Sequence, residues 1–269
     1  MIASFVIIEY NSINDVLKCI YFIQNLDLDF EYEIIVSSNS RYDDFKKAKL
    51  INKYKNIIWS FNKYNNGFAY GMNSGIRITK GKYVILQNPD TKIIKGDLKK
   101  VFSFIENNNN VGLIGPKIIN INNEIQDSCR SFMTPLKLMK RLYYRYIKKT
   151  QNILDNKCDY SKIQTVDWVI GGFMIIPKTT IDLIGLLCED YFMYVEDMDY
   201  CLKVSKNNLK VYYYPKIIVQ YEGDRKSSRF NFLNKYTYLH IKNYLKFITS
   251  YYSKKYEYGG RLEKNKNYD

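Results

Sequence analysis

Two acidic groups in the chain stand where exposed carboxylates could do chemistry. The first is Asn88-Pro89-Asp90 in "YVILQNPDT", where an apolar run stops and Asp90 follows it. Oxygen ligands of this kind suit Mg²⁺ or Mn²⁺ on a diphosphate, since magnesium commonly takes one or two protein carboxylates together with phosphate oxygens. Asn-Pro-Asp is also a good type I turn in any protein, and taken alone the tripeptide favours that reading. The second group, "YVEDMDYC", crowds Glu196, Asp197 and Asp199 into four positions with aromatic neighbours. Carboxylates that close repel one another unless a cation or a task justifies them. The alternative is an ordinary helix start, where the dipole favours acids.

The elements that must hold these groups can be read from periodicity. In the first half, short β-branched runs alternate with amphipathic segments, the pattern of a parallel sheet covered by helices. Strands are expected at 4–8, 33–37, 56–60 and 83–87, with helices near 12–25, 43–54 and 67–79. Ligands of open α/β sheets sit beyond the carboxyl ends of the strands. Glu9-Tyr10-Asn11, Ser38-Asn39 and Asn88-Pro89-Asp90 therefore fall on one edge. In "NKYNNGFAYGMNSGI", Gly67, Gly71 and Gly75 form a bare helical stripe beside Phe68, Met72 and Ile76. A helix-interior glycine costs about 1 kcal/mol relative to alanine, so either the sheet or a ligand must approach that backbone closely.

After residue 111 the order changes to the short strands "VGLIG" and "PKIIN" and the basic aromatic segment "PLKLMKRLYYRYIKK", with "VDWVIGGFMIIPK" and "LKVYYYPKIIVQYEG" further on. No Pro/Gly/Ser-rich linker divides the halves, so residues 1–228 are expected as one domain and 229–269 as a helical extension. In that tail Tyr238, Ile241, Leu245, Ile248 and Tyr252 share a stripe, with Lys235, Lys242 and Lys246 away from it. The helix should stop at Gly259-Gly260, with the last nine residues frayed. "ENNNN" at 106–110 reads as a loop.

Among 269 residues, 46% hydrophobic, 41 Lys plus Arg against 27 Asp plus Glu give a net charge of +14. Such a surface is drawn to phosphates on nucleic acid, anionic lipid or an activated substrate. No helix-turn-helix, zinc or RNA-binding signature is present, and the acidic cluster would sit badly against a polyanion, so no nucleic-acid partner is expected. Five cysteines without a CxxC pair argue against a disulfide framework or zinc site and for a reducing compartment. The single His240 excludes most metal-hydrolase and triad schemes. "MIASFVII" is too short and too poor in basic residues for a secretory signal and reads as a first strand. No stretch approaches the ~20 apolar residues of a membrane-spanning helix.

Taken together, the blocks "VIIEYNS", "IIVSSNS", "NKYNNGFAYGMNSGI", "LQNPDT", "VGLIGPKI", "VDWVIGGFMII", "YFMYVEDMDYCLKV" and "VYYYPKIIV" resemble, in order over residues 4–224, a family 2 glycosyltransferase of the rhamnosyltransferase-like branch. The resemblance implies a GT-A fold: an α/β, Rossmann-like mixed sheet flanked by helices. It implies inverting transfer of a hexosyl or deoxyhexosyl unit from a nucleotide-diphosphate sugar to an acceptor hydroxyl. Asp90 matches the position that coordinates Mg²⁺ or Mn²⁺, Asp197 the catalytic base, and Glu196 its neighbour. Glu9, Tyr10, Ser38, Asn65, Gly67, Asn73 and Asn88 match the nucleotide subsite. Trp168, Gly171 and Gly172 match the wall of the sugar and acceptor sites, although Trp168 could equally be a core residue.

Three positions depart from the family's pattern. Glu9 replaces a usual Thr, Ser38 a usual Asp that accepts the base's ring N–H, and Tyr221 a usual metal-ligating His. Either Glu9 supplies the lost acceptor or another base is used; either cation dependence is weak or Glu222 assists. Residues 135–149 and 232–255 are basic and aromatic. They fit helices lying on anionic lipid, beside a glycan or lipid-linked acceptor at the cytoplasmic face of the plasma membrane. Ordinary solvated helices, or packing on a partner subunit in an oligomer, is the competing reading. A degenerate relative that binds nucleotide sugar without catalysis is the alternative to an enzyme.

Overall fold

The structure is a computed structural model that describes residues 1–132, 134–146, 158–222 and 235–253. The parallel half is as expected: β1 (Ala3–Glu9), β2 (Tyr32–Ser38), β3 (Ile57–Phe61) and β4 (Tyr83–Gln87) run parallel in the order β3-β2-β1-β4. Every residue of β1 is buried. A strand covered on both faces needs a continuous apolar run rather than an alternating one. The crossovers are α1 (Ile13–Gln24), α2 (Asp44–Lys53) and α3 (Phe68–Ile76). In α1 the buried Val16, Cys19, Ile20 and Ile23 follow helical spacing. The side chain of Asp43 caps α2 by accepting the Lys46 N–H. Parallel register sets Glu9 beside Ser38 and Ser38 beside Phe61, so the strands deliver their following residues to one edge.

The second half makes the sheet mixed. β5 (Thr91–Lys95), α4 (Leu98–Glu106) and β6 (Val111–Ile119) come first. Then follow β7 (Cys129–Arg130), α5 (Pro135–Tyr146), β8 (Gln164–Val166), β9 (Trp168–Val169) and β10 (Phe173–Pro177). The chain continues through α6 (Lys178–Ile184), α7 (Glu196–Lys206), β11 (Lys210–Tyr221) and α8 (Lys235–Tyr252). β10 lies antiparallel between β4 and β6, β11 runs parallel to β6, and β5 closes the far edge antiparallel to β11. β8 adds to β11, giving nine strands among the described residues, and β7 pairs separately with β9.

Two expectations are corrected. Residues 111–119 form one strand rather than two short ones. Pro116 has no N–H for the ladder, but its register with β11 shifts between Tyr214 and Ile218, an irregularity that accommodates it. The cysteines are also not all unpaired: Cys129 and Cys158, 29 residues apart, form a disulfide. Their spacing carries no signal, because the partner is chosen by how β7 and the chain entering β8 fold back on each other. Cys19, Cys188 and Cys201 are free.

Helix α8 joins the same core. Phe247 is fully buried and packs 5.7 Å from Phe132 between ring centroids, beside half-buried Tyr244, Ile248 and Tyr251. Of the apolar stripe read from sequence, Tyr238, Ile241, Leu245 and Tyr252 are exposed. The helix has two apolar faces, and periodicity alone cannot say which turns inward. The expected stop at Gly259-Gly260, the frayed end, the 228/229 boundary and parts of the basic aromatic segments lie outside the described residues.

The glycine stripe of α3 faces β1. A Cβ on Gly75 would stand 2.4 Å from Val6 Cγ1, and one on Gly71 2.6 Å from Ile8 Cδ1. Close approach of helix to sheet is therefore what these two glycines permit. Gly75→Ala should cost about 1–3 kcal/mol by overpacking. Chemical denaturation should show a lower midpoint at an unchanged slope.

Candidate functional site

The turn after β4 is both a turn and a presentation of oxygens. The N–H and hydroxyl of Thr91 donate to Asn88 O at 3.1 and 2.8 Å, closing Asn88 to Thr91. The N–H of Glu222 donates to Asp90 O at 2.8 Å, tying the turn to the end of β11. Asn88 Oδ1 and Asp90 Oδ1 are buried and find no hydrogen-bond partner among the described residues. Burial raises the Asp90 pKa; backbone and Tyr221 hydrogen bonds pull it down, and Asp15 and Glu222 push it up again. A buried acceptor left without a donor is costly, and a cation removes the cost.

These residues fit a hard divalent ion. Asn88 and Asp90 supply oxygen donors, and the Tyr221 hydroxyl lies against Asp90. Glu222 is engaged elsewhere, with its carboxylate 2.5 Å from Lys92 Nζ. Among the described residues no group of three His, Cys, Asp or Glu could hold a metal. A one-carboxylate site of this kind needs ligand oxygens to complete it, as magnesium sites on phosphates do.

The three acids of α7 are sorted by burial. Asp199 is fully buried and accepts the Tyr191 hydroxyl at 3.3 Å. Glu196 is 7% exposed, whereas Asp197 is partly open. Asp197 Oδ2 accepts the Gly171 N–H and Oδ1 the Met198 N–H, each at 2.8 Å. Burial raises its pKa, and those hydrogen bonds and the charge of Arg130 hold it back. Burial first and Asp197 second push Glu196 well above the carboxylate range. Only Asp197 combines an ordered carboxylate with access from outside, the combination a general base needs.

Gly171 and Gly172 connect the two acidic groups. While Gly171 donates to Asp197, the Gly172 carbonyl accepts the Asn88 N–H at 2.9 Å. A Cβ on Gly171 would stand 3.1 Å from Asp197 Cβ. Trp168 is half-buried rather than a core residue, and its Nε1 donates to Ser131 O at 3.2 Å. Arg130, opposite Trp168 in the β7–β9 ladder, lies 5.5 Å from its ring centroid and pairs with Asp127 at 2.8 Å.

The turn leading into α7 is strained. Tyr194 and Val195 have φ of 71° and 77°. Non-glycine residues there cost on the order of 1–3 kcal/mol each, so the surroundings must hold them. The Phe68 N–H donates to Phe192 O at 2.8 Å. Asn243 Nδ2 on α8 reaches Met193 O at 2.8 Å and Tyr194 O at 3.2 Å. The His240 ring lies tilted against that of Tyr194, 5.6 Å between centroids, within electrostatic reach of Asp197. Arg130 and Asn243 were not singled out in the sequence. Nothing in their spacing marks them, because β7 and α8 bring them to the site from distant segments.

The expected nucleotide residues divide. Tyr10 is 53% exposed at the sheet edge. Glu9 is fully buried: Oε2 accepts Ser38 Oγ at 2.5 Å, and Oε1 accepts the Ser12 N–H, Ser40 Oγ and Tyr42 Oη. Burial, then the Glu9 charge, push the Tyr42 pKa up to about 12. Asn65 Oδ1 accepts the Gly67 N–H at 3.0 Å, and Gly67 has φ of 100° with a virtual Cβ 2.1 Å from Phe192 O. Asn73 stands apart: it is buried, and its amide binds Leu187 N–H, Leu187 O and Glu189. It staples α3 to the loop before α7 instead of facing the edge.

Residues 4–165 match the family model for glycosyl transferase family 2. The chain is 24% identical over 201 residues to the rhamnosyltransferase WbbL of Escherichia coli K12, covering 72% of this chain and 74% of that protein. It is 26% identical over 155 residues to the low-salt glycan biosynthesis hexosyltransferase Agl10 of Haloferax volcanii, covering 55% of this chain but only 46% of that protein. The fold is similar to that of GalNAc-T7 solved with UDP, GalNAc and Mn²⁺, with a TM-score of 0.67 at 14% identity over 93% of this chain and 48% of that one. It is also similar to Staphylococcus aureus TarS 1-349 in complex with UDP-GlcNAc, with a TM-score of 0.55 at 15% identity over 92% and 66% of the two chains. The chain belongs to glycosyl transferase family 2 and has the GT-A fold.

Burial of the Glu196 carboxyl gives a stability test with a defined sign. A raised folded-state pKa means that the fold holds a proton the unfolded chain releases, so stability is lost as pH rises through the folded value. Glu196→Gln should therefore raise Tm at pH 8. The gain should vanish as pH falls below 4.5, the ordinary value for a glutamate carboxyl, as measured by thermal melts across pH.

Proposed function

We propose that this family 2 glycosyltransferase moves a hexosyl or deoxyhexosyl unit from a nucleotide-diphosphate sugar to an acceptor hydroxyl with inversion at the anomeric carbon. The observation that carries the reading is the coupling of the Asn88–Asp90 turn and Asp197 through Gly171-Gly172, by hydrogen bonds of 2.9 and 2.8 Å. One acidic group faces a diphosphate and the other an acceptor. Mg²⁺ or Mn²⁺ held by Asn88 and Asp90 would supply charge neutralisation for the leaving diphosphate.

Asp197 accepts the proton of the acceptor hydroxyl as that oxygen bonds to the anomeric carbon and the bond to the diphosphate breaks. Attack opposite the leaving group inverts the centre in a single displacement. Burial first and the Asp197 charge second push the Glu196 pKa up, which disfavours a second carboxylate charge beside the base. GalNAc-T7 was solved with UDP and TarS with UDP-GlcNAc, which supports a uridine-type donor. Ser38 replaces the usual carboxylate, and Glu9 holds Ser38, Ser40 and Tyr42 around that subsite. Glu9 thus shapes the base pocket through these hydroxyls, with its own oxygens occupied.

Glycan assembly on a lipid-linked acceptor, at the cytoplasmic face of the plasma membrane, fits the outer faces of two helices. On α5, Leu136, Met139 and Tyr143 are exposed; on α8, Tyr238, Ile241, Leu245 and Tyr252 are. Among the described residues no helix is long and apolar enough to cross a membrane. With a net charge of +14, peripheral attachment to anionic lipid is the contact favoured.

Release of nucleoside diphosphate from a panel of nucleotide sugars, with a polyprenyl-linked glycan as acceptor, tests the enzyme reading. Asp197→Asn should lose roughly 10²–10⁴-fold in kcat. Chelation should slow the wild type, and added Mg²⁺ or Mn²⁺ should restore it. The acid limb of the rate should lie above the usual aspartate range, because protonation of Asp197 at its raised pKa removes the base. Inactivity of the wild type with every donor would leave the non-catalytic relative as the better reading. For the membrane, co-sedimentation should favour phosphatidylglycerol over phosphatidylcholine vesicles, and Leu245→Glu should weaken it about tenfold through the lost apolar burial.

A further inference from the structure

We propose that Asn243 on α8 is a positioning residue that fixes the direction of Asp197 by clamping the strained turn in front of α7. The inference rests on the role proposed above for Asp197. Asn243 is 5% exposed, although it lies on a surface helix. Its Nδ2 donates to two consecutive carbonyls, Met193 O at 2.8 Å and Tyr194 O at 3.2 Å. An amide nitrogen carries two hydrogens and no charge, so one atom can satisfy both carbonyls. Aspartate would set acceptor against acceptor, and lysine would bury a charge.

The clamped carbonyls sit at the point where the backbone is least comfortable. Tyr194 and the β-branched Val195 both have positive φ, and Val195 is the residue from which α7 starts. The Asp199 N–H donates to Val195 O at 2.8 Å, so the first turn of α7 takes its direction from this strained pair. Asp197 lies two residues beyond Val195. Its Oδ2 must meet the Gly171 N–H. Release of Met193 and Tyr194 lets the turn relax, and α7 then tips Asp197 away from Gly171. Two further α8 contacts hold the same loop from outside: Lys246 pairs with Asp190 at 2.6 Å and lies 5.2 Å from the Tyr191 ring centroid. The helix at the end of the described chain thereby reaches the chemistry without touching substrate.

The test compares Asn243→Ala with Ile248→Ala, which trims α8 packing without touching the clamp. In Asn243→Ala, amide hydrogen exchange over residues 191–199 should rise at least tenfold, and in Ile248→Ala it should not. In transfer assays kcat should fall roughly 10–10²-fold, as a small misplacement of a reacting group does. The KM for donor should stay within about twofold of wild type, and the acid limb should shift because Asp197 has lost the Gly171 N–H. Asn243→Ser, which keeps one donor, should fall between wild type and alanine, and it replaces alanine if that variant does not fold. Unchanged exchange overturns the clamp. Raised exchange with unchanged kcat, or a kcat loss matched by Ile248→Ala at equal Tm, overturns positioning. A wild type inert with all donors defeats the transferase reading instead, and the clamp is then decided by exchange alone.

Discussion

The site depends on two backbone hydrogen bonds made by Gly171 and Gly172. Gly171 gives its N–H to Asp197, and Gly172 takes the N–H of Asn88. The strand that follows, β10, is wedged antiparallel between β4 and β6, so the dipeptide is held by the middle of the sheet. Asn88 directly follows β4, and Asp197 lies in the first turn of a helix packed on the other side of the same loop. Distance between the two acidic groups is therefore set by a rigid sheet rather than by flexible side chains. A side chain at Gly171 would press on Asp197, which is why the loop carries no Cβ there.

Around this bridge the protein keeps polar atoms in costly surroundings. Asn88 Oδ1, Asp90 Oδ1 and Glu196 Oε2 are buried without partners among the described residues, and Asp90, Glu196 and Asp197 all have raised pKa values led by burial. Buried polar groups are ordinarily satisfied. Strongly perturbed acids in a cleft are what catalytic sites accumulate. The left-handed pair Tyr194–Val195 adds backbone strain at the same place. Stability is given up locally, and the sheet, the Asn73 staple and α8 contain the loss.

Much of the arrangement was legible from residue order. The parallel half follows from apolar runs separated by amphipathic segments, because β1, β2 and β4 are buried on both faces and a crossover helix such as α1 on one. That logic puts Glu9, Ser38 and Asp90 on one edge. It could not tell a packing glycine from a ligand-facing one in α3, nor the outward from the inward apolar face of α8. Both are decided by which neighbour arrives, Val6 and Ile8 in the first case and Phe132 in the second. Asn73 illustrates the same limit: its position fits a nucleotide contact, and its buried amide belongs to Leu187 and Glu189.

The sequence by itself determined the fold class, the two acidic groups and the sheet edge on which Asp90 lies, since periodicity and strand order are properties of consecutive residues. Only the tertiary structure decided which acid of α7 is open, that Asn88 and Asp90 keep oxygens without donors, and that Cys129 meets Cys158. It alone brought Arg130 beside Trp168 and Asn243 beneath Tyr194. Those contacts join segments far apart in the chain. Burial and hydrogen bonding depend on what packs against a residue, and that information is not carried by its neighbours in sequence.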